Sequence, residues 1–204
     1  IPQASRNTNP REDILEAAGR LFCKQGYEET STREIALAVG LQQGSLFHYF
    51  GRKQDMLAEL LDRTLQPAAG LLDWLAAITA PPDVKLYLLI RADARNICSQ
   101  PYNLGSLMFQ PAVKSPEFRI FWEKRARLRS GYQQLLKTGK KHGVFAFRDI
   151  ELATNLVFGL VESAFIWFTD DLTAAADEVS EELAAGALRL VLARGSAGSP
   201  RSYE

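Results

Sequence analysis

The apolar positions fall into helical register almost from the start of the chain. Ile14, Leu15, Ala18, Leu21 and Phe22 recur at three- and four-residue intervals, the spacing that places side chains on one face of an α-helix. Ahead of them, Asn9-Pro10-Arg11-Glu12 reads as a start signal: Asn9 caps, Pro10 suits the first position, and Glu12 completes a capping box. Gly26 supplies the left-handed stop. A second helix is predicted from Ser31-Thr32-Arg33-Glu34, again with capping-box spacing. Ile35, Ala36 and Val39 point inward and Gly40 ends it. A third stretch runs from Gln43 to Phe50, and a fourth from about Lys53 to Leu65, with Met56, Leu57, Leu60 and Leu61 on its apolar face. Two short helices joined by a tight, glycine-bearing turn are a helix-turn-helix.

Pro67 marks a change. Beyond it the pattern predicts only helices, over about 68–79, 83–98, 103–109, 116–142, 149–168 and 174–194. Breaks fall at Pro81-Pro82, Pro101, Pro111, Pro116 and Gly143. No run alternates like a half-buried strand between turn signals. The predicted fold class is all-α. A three-helix domain over 10–52 is followed by a larger helical domain over 53–194, between a flexible arm (1–9) and a flexible Gly/Ser/Pro-rich tail (195–204).

Composition narrows the classes. With 204 residues, 47% apolar and 24% charged, the chain can bury a sizeable core. Its formal net charge of zero argues against whole-surface binding to nucleic acid or anionic membrane and leaves room for a local patch. Cys23 and Cys98 are far apart, in apolar contexts. They suit neither a zinc site nor a disulfide framework, and read as buried thiols of a cytoplasmic protein. The first residues lack the order of a signal peptide. The most apolar run, Leu156 to Phe168, is too short for a membrane span and is interrupted by Glu162. No metal, cofactor or membrane is expected.

The stretch from Thr30-Ser31-Thr32-Arg33-Glu34-Ile35-Ala36, through Val39-Gly40-Leu41, to Gly44-Ser45-Leu46-Phe47-His48-Tyr49-Phe50 and Lys53 resembles the DNA-binding domain of the TetR family. The resemblance covers roughly residues 10–65. It implies an operator-binding helix-turn-helix ahead of a helical sensing domain. A recognition helix needs one apolar side to dock and one polar side for the major groove. Leu46 and Phe50, four apart, share the docked side, and Gln43, Ser45, His48 and Tyr49 project outward. Gln43 offers an amide to a base edge, preferably adenine. Gly44 lets the backbone approach closely, and Ser45 and Tyr49 can donate to phosphates. By the resemblance, Thr32 and Arg33 grip the DNA backbone and Lys53 binds phosphate. Phe47 stands where the family often has tyrosine, Gln42 where a small capping residue is common, and Arg52 where serine is frequent. The first 66 residues are not net basic, because Glu28, Glu29, Glu34 and their neighbours offset the cations. The DNA-facing surface is therefore a local patch.

In the larger domain, 150–168 is apolar nearly all round, and the last helix carries Val179, Leu183, Ala187, Leu188, Leu190 and Val191. As in the proteins it resembles, helices of about 149–168 and 174–194 from two subunits would form a four-helix homodimer interface. Such a dimer sets two recognition helices about 34–36 Å apart, or further on a longer site. Trp74, Tyr87, Met108, Phe109, Phe121, Trp122, Phe158 and Trp167 are core candidates that can together line a cavity for a small-molecule effector. Glu162 on its apolar helix pairs with a nearby arginine, sits at a wet interface, or orients a polar or cationic ligand. Arg91, Asp93 and Arg125 are further polar candidates. The basic stretch 119–148 reads as a solvated face, partly neutralised by Asp170, Asp171, Asp177, Glu178, Glu181 and Glu182.

The function expected is a repressor of double-stranded operator DNA, released from a palindromic site by a small hydrophobic or aromatic ligand. The alternatives are a ligand-independent regulator controlled by a partner protein or by oxidation of Cys98, and an activator. An enzyme is disfavoured: the only histidines are His48 and His142, and the chain has no GxSxG, P-loop or HExxH.

Overall fold

The computed structural model describes residues 9–100, 104–168 and 175–193. The arm (apart from Asn9), the tail, Asp170 and Asp171 lie outside the described residues. Among the described residues the helices are α1 (Pro10–Gln25), α2 (Thr32–Ala38), α3 (Gln43–Leu46), α4 (Lys53–Ala77), α5 (Pro82–Cys98), α6 (Gly105–Met108), α7 (Arg119–Lys141), α8 (Ile150–Trp167) and α9 (Ala176–Val191). Short 3-10 turns at Pro111–Lys114 and Pro116–Phe118 precede α7. The all-α class holds, with one isolated antiparallel bridge between Phe145 and Leu192.

The helix boundaries follow local chemistry. Asn9 Oδ1 accepts the Arg11 N–H at 3.1 Å, Pro10 opens α1, and Gly26 ends it at φ 96°. Glu12 does not complete a box: its carboxylate takes the Arg63 guanidinium at 2.8 Å. That contact holds the Glu12 carboxyl below its usual range. At α2 the box is complete, with Glu34 N–H donating to Ser31 Oγ at 3.2 Å and Ser31 N–H to Glu34 Oε2 at 2.8 Å. Ser31→Ala should therefore lower the unfolding free energy by about 1 kcal/mol in urea titrations, with Ser31→Thr retaining most of it. A serine-to-alanine change with no effect would mean the box adds nothing.

Three predicted boundaries are corrected. First, α4 is one helix from Lys53 to Ala77, with Pro67 inside it, rather than two helices separated there. The proline has no N–H to give the Arg63 carbonyl; at the next carbonyl, Asn96 Nδ2 of α5 donates to Thr64 O at 2.8 Å. Second, α3 stops at Leu46. Third, the stretch predicted as 116–142 begins with 3-10 turns and becomes α-helical at Arg119.

The chain divides into two compact units. The first holds the described part of Ile1–Arg63 and Tyr102–Phe121, the second that of Thr64–Pro101 and Trp122–Glu204. The core of the first includes Ile14, Leu15, Phe22, Ile35, Leu46 and Met56, all buried. In the second, α5 packs against α8 and most extensively against α9. The small residues Ala184 and Ala187 are buried on α9, as are Leu86 and Ile90 on α5. The ends of α7 and α9 are tied by Ala146 N–H to Val191 O (2.8 Å) and Ala193 N–H to Val144 O (3.0 Å). By length and composition, α8 (18 residues) could cross a membrane, unlike the shorter run read from the sequence. Core helices pass the same test, and α8 packs on α5 and α9 and carries a paired carboxylate, Glu162.

Candidate nucleic-acid interface and ligand cavities

The turn between α2 and α3 is closed by Leu41 N–H to Ala36 O at 2.9 Å, with Gly40 at φ 70°. Leu46 and Phe50 are buried, and the Arg11 guanidinium lies over the Phe50 ring at 4.5 Å. Beyond Leu46 the chain tightens. His48 N–H and Tyr49 N–H bond three residues back, at 3.2 and 3.0 Å, before Phe50 N–H returns to Leu46 O at 3.1 Å. The i+3 bonds explain why α3 is shorter than predicted. The same turn leaves Phe47, His48 and Tyr49 exposed, along with Gln43, Gly44 and Arg33, while Ser45 and Thr32 are half-buried. Gln43 Nε2 donates to Thr32 Oγ1 at 2.8 Å, joining the starts of α2 and α3. A Cβ added at Gly44 would meet nothing within 4 Å, so its own fold does not require glycine there.

Lys53 has an inward role that the sequence did not reveal. Its ammonium donates to the carbonyls of Tyr27 (2.7 Å), Thr30 (2.9 Å) and Glu28 (3.3 Å). It also sits 4.2 Å from the centre of the Tyr27 ring. These contacts lie more than twenty positions upstream and carry no local signal. Arg52 is exposed and pairs with Asp55 at 3.1 Å.

In the second unit, a cavity of about 950 Å³ lies between α4, the start of α5 and α7. Leu72, Leu75, Ile78 and Leu135 supply apolar wall, and Gln134 and Thr138 hydrogen-bonding groups. A Cβ on Gly131 would come within 2.5 Å of a Leu72 methyl, so the missing side chain lets α7 approach α4 beside the cavity. None of the eight ligand candidates lines it. The signal for it was the row Arg127, Gly131, Gln134, Thr138 and His142, which has helical spacing but is too polar to read as an apolar stripe.

The structure disperses those candidates. Met108 is buried and Phe109 exposed in the first unit, and Tyr87 is half-buried in the second. Trp167 donates its indole N–H to Ser163 Oγ at 3.0 Å. Trp122, Phe158 and Glu162 meet around Arg125, whose Nε donates to Glu162 Oε1 at 2.8 Å. The two ring centres lie 5.6 and 5.2 Å from its guanidinium. Trp74 lines a smaller cavity of about 460 Å³ between α4 and α5, together with Arg91 of the further polar candidates.

Three buried titratable groups stand out. Tyr132 donates its hydroxyl to Asp93 Oδ2 at 2.7 Å inside the second unit. Burial pushes the Asp93 carboxyl up to about 7, with Glu162 adding to the effect and Tyr132 and Arg125 opposing it. Burial also pushes the Cys98 thiol up to about 11, so it is poorly suited to oxidation chemistry. Cys23 is only half-buried. The predicted neutralisation of the basic stretch is corrected for Asp177 and Glu181, while Asp170 and Asp171 lie outside the described residues. Arg125 and Arg129 of α7 pair with Glu162 and Glu151 of α8. Asp177 and Glu181 pair with Arg95 and Arg91, because α9 packs on α5.

Residues 14–60 match the family model described as bacterial regulatory proteins, tetR family. Residues 79–191 match the tetracyclin repressor-like C-terminal domain. The crystal structure of AmtR from Mycobacterium smegmatis is 35% identical, covers 93% of this chain and 89% of that one, and superposes with a TM-score of 0.83. The HTH-type transcriptional repressor KstR2 of Mycobacterium tuberculosis (strain ATCC 25618 / H37Rv) is 25% identical over 191 residues, 88% of this chain and 91% of that protein. AibR, solved in complex with isovaleryl coenzyme A and operator DNA, shares the fold at 19% identity and a TM-score of 0.72, over 90% of this chain and 98% of that one. With both family models and a long helical alignment in agreement, the chain belongs to the TetR family of bacterial transcriptional regulators, helix-turn-helix repressors that are not enzymes.

Proposed function

We propose that this protein is a homodimeric repressor that leaves a palindromic operator when a small, largely apolar ligand fills the α4–α7 cavity. The observation that carries this reading is the outward row of Gln43, Phe47, His48 and Tyr49 over the buried pair Leu46 and Phe50. Gln43 and His48 read base edges, and the open space at Gly44 admits the DNA backbone. Ser45, Tyr49, Thr32 and Arg33 meet phosphates. Lys53 serves phosphate binding by holding the loop ahead of α2 in place. The DNA-reading part is assigned to 10–52 and the sensing part to 53–194.

The dimer is supported by an exposed apolar row on α8. Leu152, Leu156 and Ile166 are 58%, 51% and 72% exposed, and Leu190 on α9 is 53% exposed. Apolar side chains gathered on one face of a helix signal an interface. A cavity of this size and lining suits an apolar ligand. The ketosteroid of KstR2's description has a large apolar body, and the isovaleryl coenzyme A of AibR presents a short branched acyl group on a charged carrier; both offer an apolar part that such a cavity could take. A regulator of this kind works in the cytoplasm, on chromosomal DNA. Release needs the ligand to prefer the DNA-incompetent spacing of the two heads, with continuous α4 as the lever. Equal ligand affinity with and without operator in calorimetry would contradict release.

Selection of bound sequences from random duplex DNA tests the DNA reading. The expected result is a palindrome whose affinity falls roughly 10³- to 10⁵-fold between 50 and 200 mM salt, as for about 6–10 phosphate contacts. A folded protein that enriches no sequence, both as purified and after unfolding, dialysis and refolding to strip any ligand, overturns it.

A further inference from the structure

The smaller cavity between α4 and α5 shares no lining residue with the larger one. Its α4 wall is Pro67, Leu71 and Trp74, and its α5 wall carries Arg91 and Arg95. These spacings place each set on one face of its helix. Trp74 is 52% exposed, an unusual position for so large an apolar surface. Both guanidiniums are held by acids of α9: Arg91 Nη2 meets Glu181 at 3.0 Å, and Arg95 Nε meets Asp177 at 2.6 Å. All four side chains are at least a third exposed, so the pairs are weak and exchangeable. Arg91 is also only half used. Its Nε is buried without a hydrogen-bond partner among the described residues, although a guanidinium takes a carboxylate best through two N–H groups.

We propose that this cavity is a second ligand site, for a planar aromatic carboxylate. The ring would stack on the Trp74 indole against Leu71. The carboxylate would take Arg91 and Arg95 in exchange for Glu181 and Asp177. The volume lies within the range of small-molecule sites, the exposed indole offers a flat face, and the two cations already hold carboxylates. Occupancy would loosen the pairing of α5 with α9. This regulator would then have an input separate from the α4–α7 cavity.

The probe is 1-naphthoate, with 1-naphthalenemethanol as its uncharged counterpart, titrated into the full chain by calorimetry and tryptophan quenching. The acid should bind about tenfold or more tightly than the alcohol, the size expected for a charge-assisted pair. Trp74→Phe should remove most of the quenching, leaving Trp122 and Trp167 as controls. Arg91→Gln and Arg95→Gln should each weaken the acid about tenfold. Glu181→Gln and Asp177→Asn remove competing carboxylates, so each should tighten it several-fold, which a merely structural role for these acids would not produce. Circular dichroism checks the fold of every variant, and Glu181→Gln keeps the test open if an arginine variant unfolds. Failure of the acid to bind, equal binding of acid and alcohol, or weaker acid binding in folded Glu181→Gln overturns the proposal.

Discussion

Asp93→Asn should raise the stability of this protein at pH 8 and change it little at pH 5. In the folded protein the Asp93 carboxyl is fully buried and titrates at about 7, against an ordinary value of 3.8. Between those values the folded state binds a proton that the unfolded state has released. Wild-type stability therefore falls as pH rises through that window and levels off above it. At about 1.4 kcal/mol per unit, the full penalty is on the order of 4 kcal/mol. The groups facing Asp93 are Tyr132, which donates to it, Glu162, which disfavours its charge, and Arg125, which favours it. Asparagine keeps an acceptor for Tyr132 and cannot ionise. Its amide N–H groups add a smaller cost of roughly 1–3 kcal/mol if left unpaired. Urea titrations of both proteins across pH 5–8 measure the effect. Parallel pH profiles would show that the Asp93 proton is not coupled to folding.

Leu46→Ala should cost roughly 2–5 kcal/mol, the range for emptying a fully buried leucine site, and should abolish specific DNA binding at ordinary protein concentrations. Leu46 is 0% exposed and is the only buried residue of the four-residue α3. Besides it, only Phe50 is buried among residues 43–50. With that anchor gone, the exposed row from Gln43 to Tyr49 loses its fixed orientation, and base contacts demand one. Gln43→Ala is the control. Gln43 is exposed and touches Thr32, so its loss should weaken operator binding by about tenfold at a base-reading position while leaving the unfolding midpoint nearly unchanged. Operator titrations beside denaturation curves separate the two effects. Full operator affinity in Leu46→Ala would mean that α3 does not carry the recognition surface.

The sequence by itself determined where most helices begin and end and which side of the helix-turn-helix faces out. Asn9, Ser31, Gly26 and Gly40 act on backbone groups within a turn of themselves, and Leu46 and Phe50 are four residues apart. Signals of that range are complete in a short window. Only the tertiary structure decided that α4 runs through Pro67, beside which Asn96 of α5 reaches the Thr64 carbonyl from 32 residues away. It also decided that Lys53 turns to carbonyls more than twenty residues upstream and that the arginines of α5, not α7, meet the acids of α9. The cavities belong to the same class. A void is set by how closely two helices approach, here by Gly131 against Leu72, and no single stretch of chain contains that distance. Caps and stripes are chosen by neighbours in sequence, whereas ion pairs and voids are chosen by residues that packing alone brings together.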